Sequence, residues 1–193
     1  MPFQFETSAP AGLAEILSDT EAAGFQMASA ERTGALLRML AATKPGGRLL
    51  ELGTGTGAAT AWLLDGMDEE ARLVSVESEE KFLQVARKHL GADARCELVC
   101  EDGGAFLERQ AEESFDLIFA DTWAGKFTHL EEALALLRVG GLYVVDDLAP
   151  QPNWPEDHPP KVEAYLRTLG SRADLTLATL DWGTGHLIAA KRR

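Results

Sequence analysis

The chain has 193 residues, 46% of them hydrophobic, and a formal net charge of −13. This length favours one sizeable domain over two. The acidic balance, with no stripe of Lys and Arg, argues against nucleic acid as a partner. Cys96 and Cys100 are too few for a zinc site and are predicted to be reduced core residues. No apolar run is long enough for a membrane helix and the N-terminus shows no signal pattern, so we expect a cytoplasmic protein without membrane contact.

Two helices are predicted before the first strand. Apolar spacing predicts a helix over residues 11–18, and the spacing of Leu36, Leu37 and Leu40 predicts a second helix that ends near Thr43. Ser29 is the predicted N-cap of that second helix. We therefore expect residues 1–44 to form a helical segment that packs on the ligand side of a core formed by residues 45–193, within a single domain.

A glycine-rich stretch follows the first predicted strand. The apolar run 49–52 leads into Gly53, Gly55 and Gly57, and a helix is predicted over residues 58–66. Glycines let a ligand lie against the main chain, and the start of the helix supplies free N–H groups. The spacing is GxGxG, whereas dinucleotide sites use GxGxxG, and Glu51 at the strand end suits a ligand that carries positive charge.

Acidic residues end most of the later strands. Strands are predicted over residues 72–76, 96–100, 115–120 and 142–145, and they alternate with helices over 79–90, 105–111 and 129–138. Glu77 is expected to bind ribose hydroxyls, because two carboxylate oxygens match a vicinal diol. Asp102 is either a contact of the ligand or an ordinary turn or N-cap residue. Asp121, Asp146 and Asp147 end two strands that are expected to be neighbours.

The C-terminal part contains a proline-rich stretch. Residues 149–160 are predicted to lack regular structure, either as a lid over the substrate with Trp154 as its apolar contact or as a plain connector. A helix over 161–169 follows. A hairpin of strands 175–180 and 186–191 across Gly183 and Gly185 completes the chain.

Four motifs carry a family resemblance over residues 26–190: Gln-Met-Ala-Ser at 26–29, Leu-Leu-Glu-Leu-Gly at 49–53, Phe-Asp-Leu-Ile-Phe-Ala-Asp at 115–121 and Leu-Arg-Val-Gly-Gly-Leu-Tyr-Val-Val-Asp-Asp at 137–147. The chain resembles class I S-adenosylmethionine-dependent methyltransferases, and most closely the small O-methyltransferases of the catechol and caffeoyl-CoA type. The resemblance implies an α/β fold, a three-layer Rossmann-like seven-stranded sheet of order 3-2-1-4-5-7-6 with the last strand antiparallel and helices on both faces.

The resemblance also implies a set of site residues. S-adenosylmethionine would be bound by Met27, Glu51, Gly53, Thr54, Gly55, Gly57, Glu77, Ser78, Asp102, Gly103, Asp121 and Trp123. Asp121, Asp146 and Asp147 would bind Mg²⁺ or another divalent cation, a set of oxygen ligands that suits a hard ion.

Lys126 and Asp147 are the predicted catalytic residues, although both depart from the family pattern. The family places its lysine at the position of Ala124, so Lys126 either reaches back as a general base or is a surface lysine. Asp147 stands where the family has Asn, and it could bind metal or act as a base.

Several functions are weighed against one another. The first is an enzyme that methylates a hydroxyl of a small molecule, with an aromatic diol and a divalent metal favoured. The second is a metal-independent methyltransferase that uses Asp146, Asp147 or His186 as its base. A non-catalytic S-adenosylmethionine-binding protein and a dehydrogenase are the others, the last disfavoured by the glycine spacing. A homodimer is also predicted, with Trp62, Trp154 and Trp182 as candidate exposed aromatics.

Overall fold

The computed structural model describes residues 8–151 and 154–192. Predictions for residues 1–7 and for Pro152 and Asn153 of the proline-rich stretch lie outside this part. The strands are β1 Arg48–Leu52, β2 Arg72–Glu77, β3 Cys96–Cys100, β4 Phe115–Ala120, β5 Leu137–Val145, β6 Leu175–Leu180 and β7 His186–Lys191. They form one sheet of order β3-β2-β1-β4-β5-β7-β6, in which β7 pairs antiparallel with both neighbours. The predicted fold class and strand order are confirmed.

The described residues form seven helices: α1 Leu13–Ala22, α2 Glu31–Ala42, α3 Ala58–Gly66, α4 Glu80–Leu90, α5 Gly103–Glu108, α6 Leu130–Leu136 and α7 His158–Gly170. The helices after β1, β2 and β4 lead to a parallel neighbour, whereas α5 carries the chain from β3 across to β4, which lies parallel beside β1. The carboxyl ends of β1 to β5 therefore meet at one edge of the sheet, where ligands of such folds bind.

Helix α2 begins later than predicted, and Ser29 is not its N-cap. Ala30 holds that position, without a side-chain cap. The Ser29 hydroxyl instead donates to Oδ2 of Asp121, 3.2 Å away. The side chain is thus drawn to the end of β4 and away from the first turn of its own helix.

The predicted boundaries near β5 and α7 are wrong for different reasons. Strand β5 starts at Leu137, and Gly140 lies inside it with φ +80° beside a register shift against β4. The glycines therefore form a bulge and do not start the strand. Helix α7 includes Pro159 and Pro160, because proline is tolerated in a first turn, where N–H groups have no helical partner.

Two apolar layers cover the sheet. One includes Leu50, Ile118 and Tyr143, and the other packs α2 and α3 against Leu49 and Phe119. Trp62 is only 2% exposed, so it is not a surface aromatic as predicted; the close approach of α2 at Gly34 covers its ring. Cys96 and Cys100 are free, but Cys100 is exposed at the edge strand β3 and is not a core residue.

The segment between α1 and α2 matters most for the site. Helix α1 contacts α3 and α4, and α2 packs on α3. Residues 25–30 join the two helices without regular structure and line the main cavity at the carboxyl edge of the sheet. Within residues 8–151 and 154–192, no helix has both the length and the apolar character needed to cross a membrane.

Candidate active site

Two adjoining cavities lie at the carboxyl edge of the sheet. The larger has a volume of about 550 Å³, within the range of small-molecule sites, and the smaller about 150 Å³. Both are lined by Gly53, Glu77, Ser78, Thr122 and Trp123. A ligand that bridges them would therefore pass over the end of β1 and beside the end of β2.

The glycine turn forms the floor between the two cavities. Gly53 has φ +99° and Gly55 has φ +53°, in the region that side chains disfavour. A Cβ at Gly53 would lie 2.9 Å from the carbonyl oxygen of Asp121, and a Cβ at Gly55 would lie 2.7 Å from the ring of Phe25. The turn can thus sit against the end of β4 and against Phe25 because Gly53 and Gly55 lack side chains.

Glu77 connects the end of β2 to this turn. Its Oε2 accepts a hydrogen bond of 2.8 Å from the Gly55 amide, and its Oε1 accepts one of 2.9 Å from the Glu79 amide. The side chain is partly buried and lines both cavities. The carboxylate both fixes the turn and presents its remaining acceptor sites to a ligand, as the strand-end position predicts.

We expect Glu77→Gln to weaken binding of S-adenosylhomocysteine by about ten- to a hundredfold, because the amide removes both the charge and one acceptor oxygen. Titration calorimetry would measure the loss. Glu79→Gln is the matched control, since Glu79 lies on the cavity wall but its amide, not its carboxylate, meets Glu77. Equal affinities for the Glu77→Gln protein and the wild type would contradict a role of Glu77 in binding.

Glu51 and Gly57 do not line either cavity, in contrast to their predicted role. The Glu51 carboxyl is fully buried, and its Oε2 accepts hydrogen bonds of 2.6 Å from Thr60 and 2.5 Å from Ser75. Gly57, the N-cap of α3, packs against Ala86. Both residues therefore support the turn from behind, because α4 and the hydroxyls of α3 and β2 occupy the space around them.

Burial raises the pKa of Glu51 to about 7, although the Ser75 and Thr60 hydroxyls oppose the shift. Between pH 4.5 and 7 the unfolded chain releases this proton while the folded chain keeps it, so folding loses stability as the pH rises. The loss is complete above pH 7 and amounts to about 3 kcal/mol.

We expect Glu51→Gln to remove this loss of stability, because glutamine has no proton to release. The difference in free energy of unfolding, variant minus wild type, should therefore grow from pH 5 to pH 8. Urea unfolding at both pH values measures this difference, and the same difference at both would contradict the prediction.

Asp102 and Gly103 line the smaller cavity. The Asp102 side chain is the N-cap of α5 and accepts a 2.9 Å hydrogen bond from the Ala105 amide. Asp102 therefore caps α5 and also lies on the cavity wall, whereas the sequence offered these two roles as alternatives. A Cβ at Gly103 would lie 2.8 Å from Cβ of Ala124, so the glycine keeps this wall close to the loop after β4.

The remaining predicted ligand contacts lie on the larger cavity. Thr54 and Gly55 contribute the turn, but the Thr54 hydroxyl is 2.5 Å from Ser75 and lies in the interior. Met27 lines the cavity and is 70% exposed. Asp121 also lines it and is partly buried. Burial and the charges of Asp146 and Asp147 raise the pKa of Asp121.

Lys126 reaches into the same acidic region and is not a surface lysine. Its side chain is only 5% exposed, and Nζ donates a 2.6 Å hydrogen bond to the backbone carbonyl of Asp146. Burial lowers the pKa of Lys126, and the charges of Asp121, Asp147 and Asp146 oppose that shift. The charges of the three carboxylates that were predicted to bind a metal therefore act on the amine, whose own hydrogen bond goes to the backbone.

The Asp146 carboxylate lies among polar groups from several parts of the chain. Oδ2 accepts from the Thr33 hydroxyl at 3.2 Å, and Oδ1 accepts from the Thr184 hydroxyl and from the adjacent Asp147 amide at 2.7 Å. Nε2 of His186 lies 2.8 Å from the Thr33 hydroxyl and 3.2 Å from Oδ1. Burial alone would raise the pKa of Asp146, but the hydrogen bonds from His186 and Thr184 lower it. Each carboxylate oxygen has about two acceptor sites, so Oδ1 is fully engaged, whereas Oδ2 accepts from Thr33 and keeps one site.

Asp147 has an unusual backbone conformation for a residue with a side chain. Its φ is +61°, in the left-handed region, which Asp and Asn tolerate better than most residues. Oδ1 accepts a 2.6 Å hydrogen bond from Nε2 of Gln151. The side chain is partly buried on the cavity wall, where it is accessible to a ligand.

The three aspartates do not fit a divalent ion well. Both oxygens of Asp146 accept hydrogen bonds within the protein, Asp147 shares one oxygen with Gln151, and Asp121 accepts from Ser29. In the described part of the chain, no group of three or more His, Cys, Asp or Glu side chains is arranged to hold a metal ion. The metal ligand set that the resemblance implied is therefore not formed by these side chains.

Aromatic side chains surround the outer part of the larger cavity. The rings of Trp123 and Phe127 are 5.6 Å apart, and His158 lies 4.5 Å from Trp154 and 5.2 Å from Phe127. Trp154 lines the cavity and is partly buried, as a contact of the proline-rich stretch was predicted to be. These rings form an apolar wall opposite the carboxylates.

Sequence reasoning missed Thr33, Thr184 and Gln151 as partners of the aspartates, and it named His186 only as an alternative base. Thr33 is 113 residues from Asp146 along the chain, and His186 is 153 residues from Thr33. A lone threonine on a helix carries no local signal of such contacts. The fold alone brings these residues together.

The fold and the cavity define a class of protein, a Rossmann-like methyltransferase. The family model described as "Methyltransferase domain" matches residues 50–148. The chain therefore belongs to the class I S-adenosylmethionine-dependent methyltransferases, as the resemblance predicted, and it is an enzyme of the O-methyltransferase kind.

Individual relatives agree with this assignment. A protein from Mycobacterium ulcerans named "Putative O-methyltransferase" is 32% identical over 168 residues, which cover 82% of this chain and 75% of the relative. The cofactor-bound structure of Rv0187 from MTB is 27% identical, with a TM-score of 0.84, and the match covers 94% of this chain and 90% of that one. The O-methyltransferase from Bacillus cereus in complex with SAH is 24% identical, with a TM-score of 0.82 and coverage of 96% and 92%, and it shows the shared fold.

Proposed function

We propose that this enzyme transfers the methyl group of S-adenosylmethionine to a hydroxyl of a small molecule, and that an aromatic diol is the preferred acceptor. One observation carries the proposal. A single cavity joins the glycine turn and Glu77 at one end to Lys126, Asp147 and an aromatic wall at the other. A methyl donor and a flat acceptor can therefore meet inside it.

The donor would lie across both cavities. Glu77 would accept hydrogen bonds from the ribose hydroxyls, and the smaller cavity beside Asp102 and Gly103 would take the adenine. The amino acid part would rest on the glycine turn, where the first N–H groups of α3 suit its carboxylate. This arrangement directs the sulfonium towards the wall formed by Asp121, Lys126 and Asp147.

The transfer step needs few groups. The acceptor oxygen forms a bond to the methyl carbon while the carbon–sulfur bond breaks, and the electron pair of that bond stays on sulfur. The products are a methyl ether and S-adenosylhomocysteine, and the hydroxyl proton passes to the carboxylate of Asp147. In-line placement of the two reactants supplies much of the rate, because the sulfonium is already a strong electrophile.

The walls of the cavity support an aromatic, uncharged acceptor. Trp123, Phe127 and Trp154 offer faces and edges on which a flat ring can pack. Asp121 and Asp147 disfavour an acceptor that carries negative charge close to its hydroxyls. A second hydroxyl on the ring would find acceptor and donor groups on the same wall.

The decisive experiment compares acceptors of similar size. A catechol-type diol, the matching monophenol, an aniline and a benzoate are each incubated with enzyme and S-adenosylmethionine, and S-adenosylhomocysteine and methylated products are measured by mass spectrometry. We expect the methyl ether of the diol as the main product and none from the benzoate. Methylation of the aniline without any methyl ether would overturn the proposal.

A cytoplasmic location and a homodimer stay predictions from the sequence. Trp182 is 40% exposed and is the remaining candidate among the three tryptophans for an exposed contact, since Trp62 is buried and Trp154 lies on the cavity wall.

A further inference from the structure

We propose that the amine of Lys126 takes the place of a divalent metal ion as the cation of this site, and that methyl transfer here is metal-independent. The inference rests on the proposed function, in which this cavity is the site of methyl transfer. Its main test measures metal uptake and requires no acceptor, so that its failure can be told apart from a wrong choice of acceptor.

The position of Lys126 is the first observation. Its side chain follows the loop after β4, is only 5% exposed, and ends within hydrogen-bonding distance of the end of β5. Strands β4 and β5 are neighbours, so a cation bound between their ends would lie close to this amine. A second, doubly charged cation there would be repelled and would lose space to the lysine side chain.

The hydrogen bonding of Asp146 is the second observation, and it is independent of Lys126. Thr33 comes from α2 and Thr184 from the hairpin turn, and both hydroxyls donate hydrogen bonds to this carboxylate. Nε2 of His186, from β7, lies 3.2 Å from the same carboxylate. Thr33 and His186 are each only 1% exposed. To bind a metal through Oδ1, Asp146 would have to give up buried hydrogen bonds, which costs free energy.

The amine can also perform the main task of such a metal. A lysine ammonium carries three N–H donors, and the carbonyl of Asp146 accepts from one of them. The others are available to an acceptor oxygen that lies between Lys126 and Asp147. The positive charge stabilises that oxygen as it loses its proton to Asp147, in the way that a bound cation would.

Mn²⁺ uptake by the purified, chelator-treated protein tests the inference. Free Mn²⁺ gives a sharp paramagnetic resonance signal that is lost on binding. We expect the wild type to leave this signal unchanged at about 1 mM Mn²⁺, the weak end of protein sites for such ions. We expect Lys126→Met to take up Mn²⁺ at least about tenfold better than the wild type, because Asp121 and Asp147 lose their counter-charge. In the double variant with Asp121→Asn this uptake should disappear.

Lys161→Met is the matched control, since Lys161 lies over the ring of Trp123 and pairs with the exposed Asp157, outside the group of aspartates. It should behave like the wild type. Uptake by the wild type that is lost in Asp121→Asn would overturn the inference. Lack of uptake in a folded Lys126→Met protein would overturn the role of the amine in excluding the ion. If Lys126→Met does not fold, Lys126→Gln replaces it. The measurement on the wild type tests metal uptake without any variant.

Discussion

Replacing Gly53 with alanine is expected to lower the affinity for S-adenosylhomocysteine by about a hundredfold, which corresponds to about 3 kcal/mol. Gly53 has φ +99°, and its new Cβ would lie 2.9 Å from the backbone carbonyl of Asp121. Backbone cannot turn aside as a flexible side chain can, so the ends of β1 and β4 must move apart. That movement widens the cavity at the place where both reactants have to meet. Titration calorimetry measures the affinity, and thermal unfolding shows that the variant is folded.

Gly12→Ala is the control that distinguishes an effect on the ligand cavity from the effect of backbone strain alone. Gly12 has φ +79° at the start of α1, and none of the described residues has an atom within 4 Å of the Cβ it would gain. Both substitutions carry a similar backbone penalty of about 1 to 2 kcal/mol in stability. Only Gly53→Ala should also lower the affinity for S-adenosylhomocysteine. If both variants lost affinity to the same extent, the close contact with Asp121 would not be the cause.

Asp147→Asn is expected to lower kcat by about a hundred- to a thousandfold, the usual range for loss of a general base. Binding of S-adenosylhomocysteine should stay nearly unchanged, because the glycine turn and Glu77 remain intact. The amide keeps the shape of the side chain and can still accept from Gln151 through its oxygen. Steady-state kinetics with the best diol acceptor would measure the change.

Asp157→Asn is the control for this experiment. Asp157 is exposed, precedes α7 and pairs with Lys161, but it does not line the cavity. Its loss should leave kcat within about twofold, since surface ion pairs contribute little. A normal kcat in Asp147→Asn would move the role of base to another group, and a fall in ligand affinity of the same size would point to lost binding.

The strands and helices could be predicted from the sequence because each of their signals is local, and the family resemblance supplied the strand order. The glycine turn at Gly53 and Gly55, the apolar run of β4 and the two glycines before the end of β5 all lie within short windows. The alternation of strands and helices then leaves few arrangements of the sheet. The acids that line the cavity, Glu77, Asp121 and Asp147, could be located for the same reason, since each lies at the end of a strand or within two residues after it.

The errors arise where a distant part of the chain decides. Helix α3 is buried from Ala58 to Leu64 because it lies under α2, so its periodicity gives no indication that Trp62 is covered. Glu51 was assigned to the ligand, but the hydroxyls of Thr60 and Ser75 hold its carboxyl in the interior. Lys126 could be read either as a base or as a surface residue until the position of Asp146 was known.

The left-handed backbone at Asp147 limits which residues can stand there, whatever the chemistry requires. At φ +61° the choice is largely restricted to Gly, Asn and Asp. Asn and Asp differ by one negative charge and almost nothing in shape. A single nucleotide exchange could thus change the net charge of this pocket while the fold stays the same.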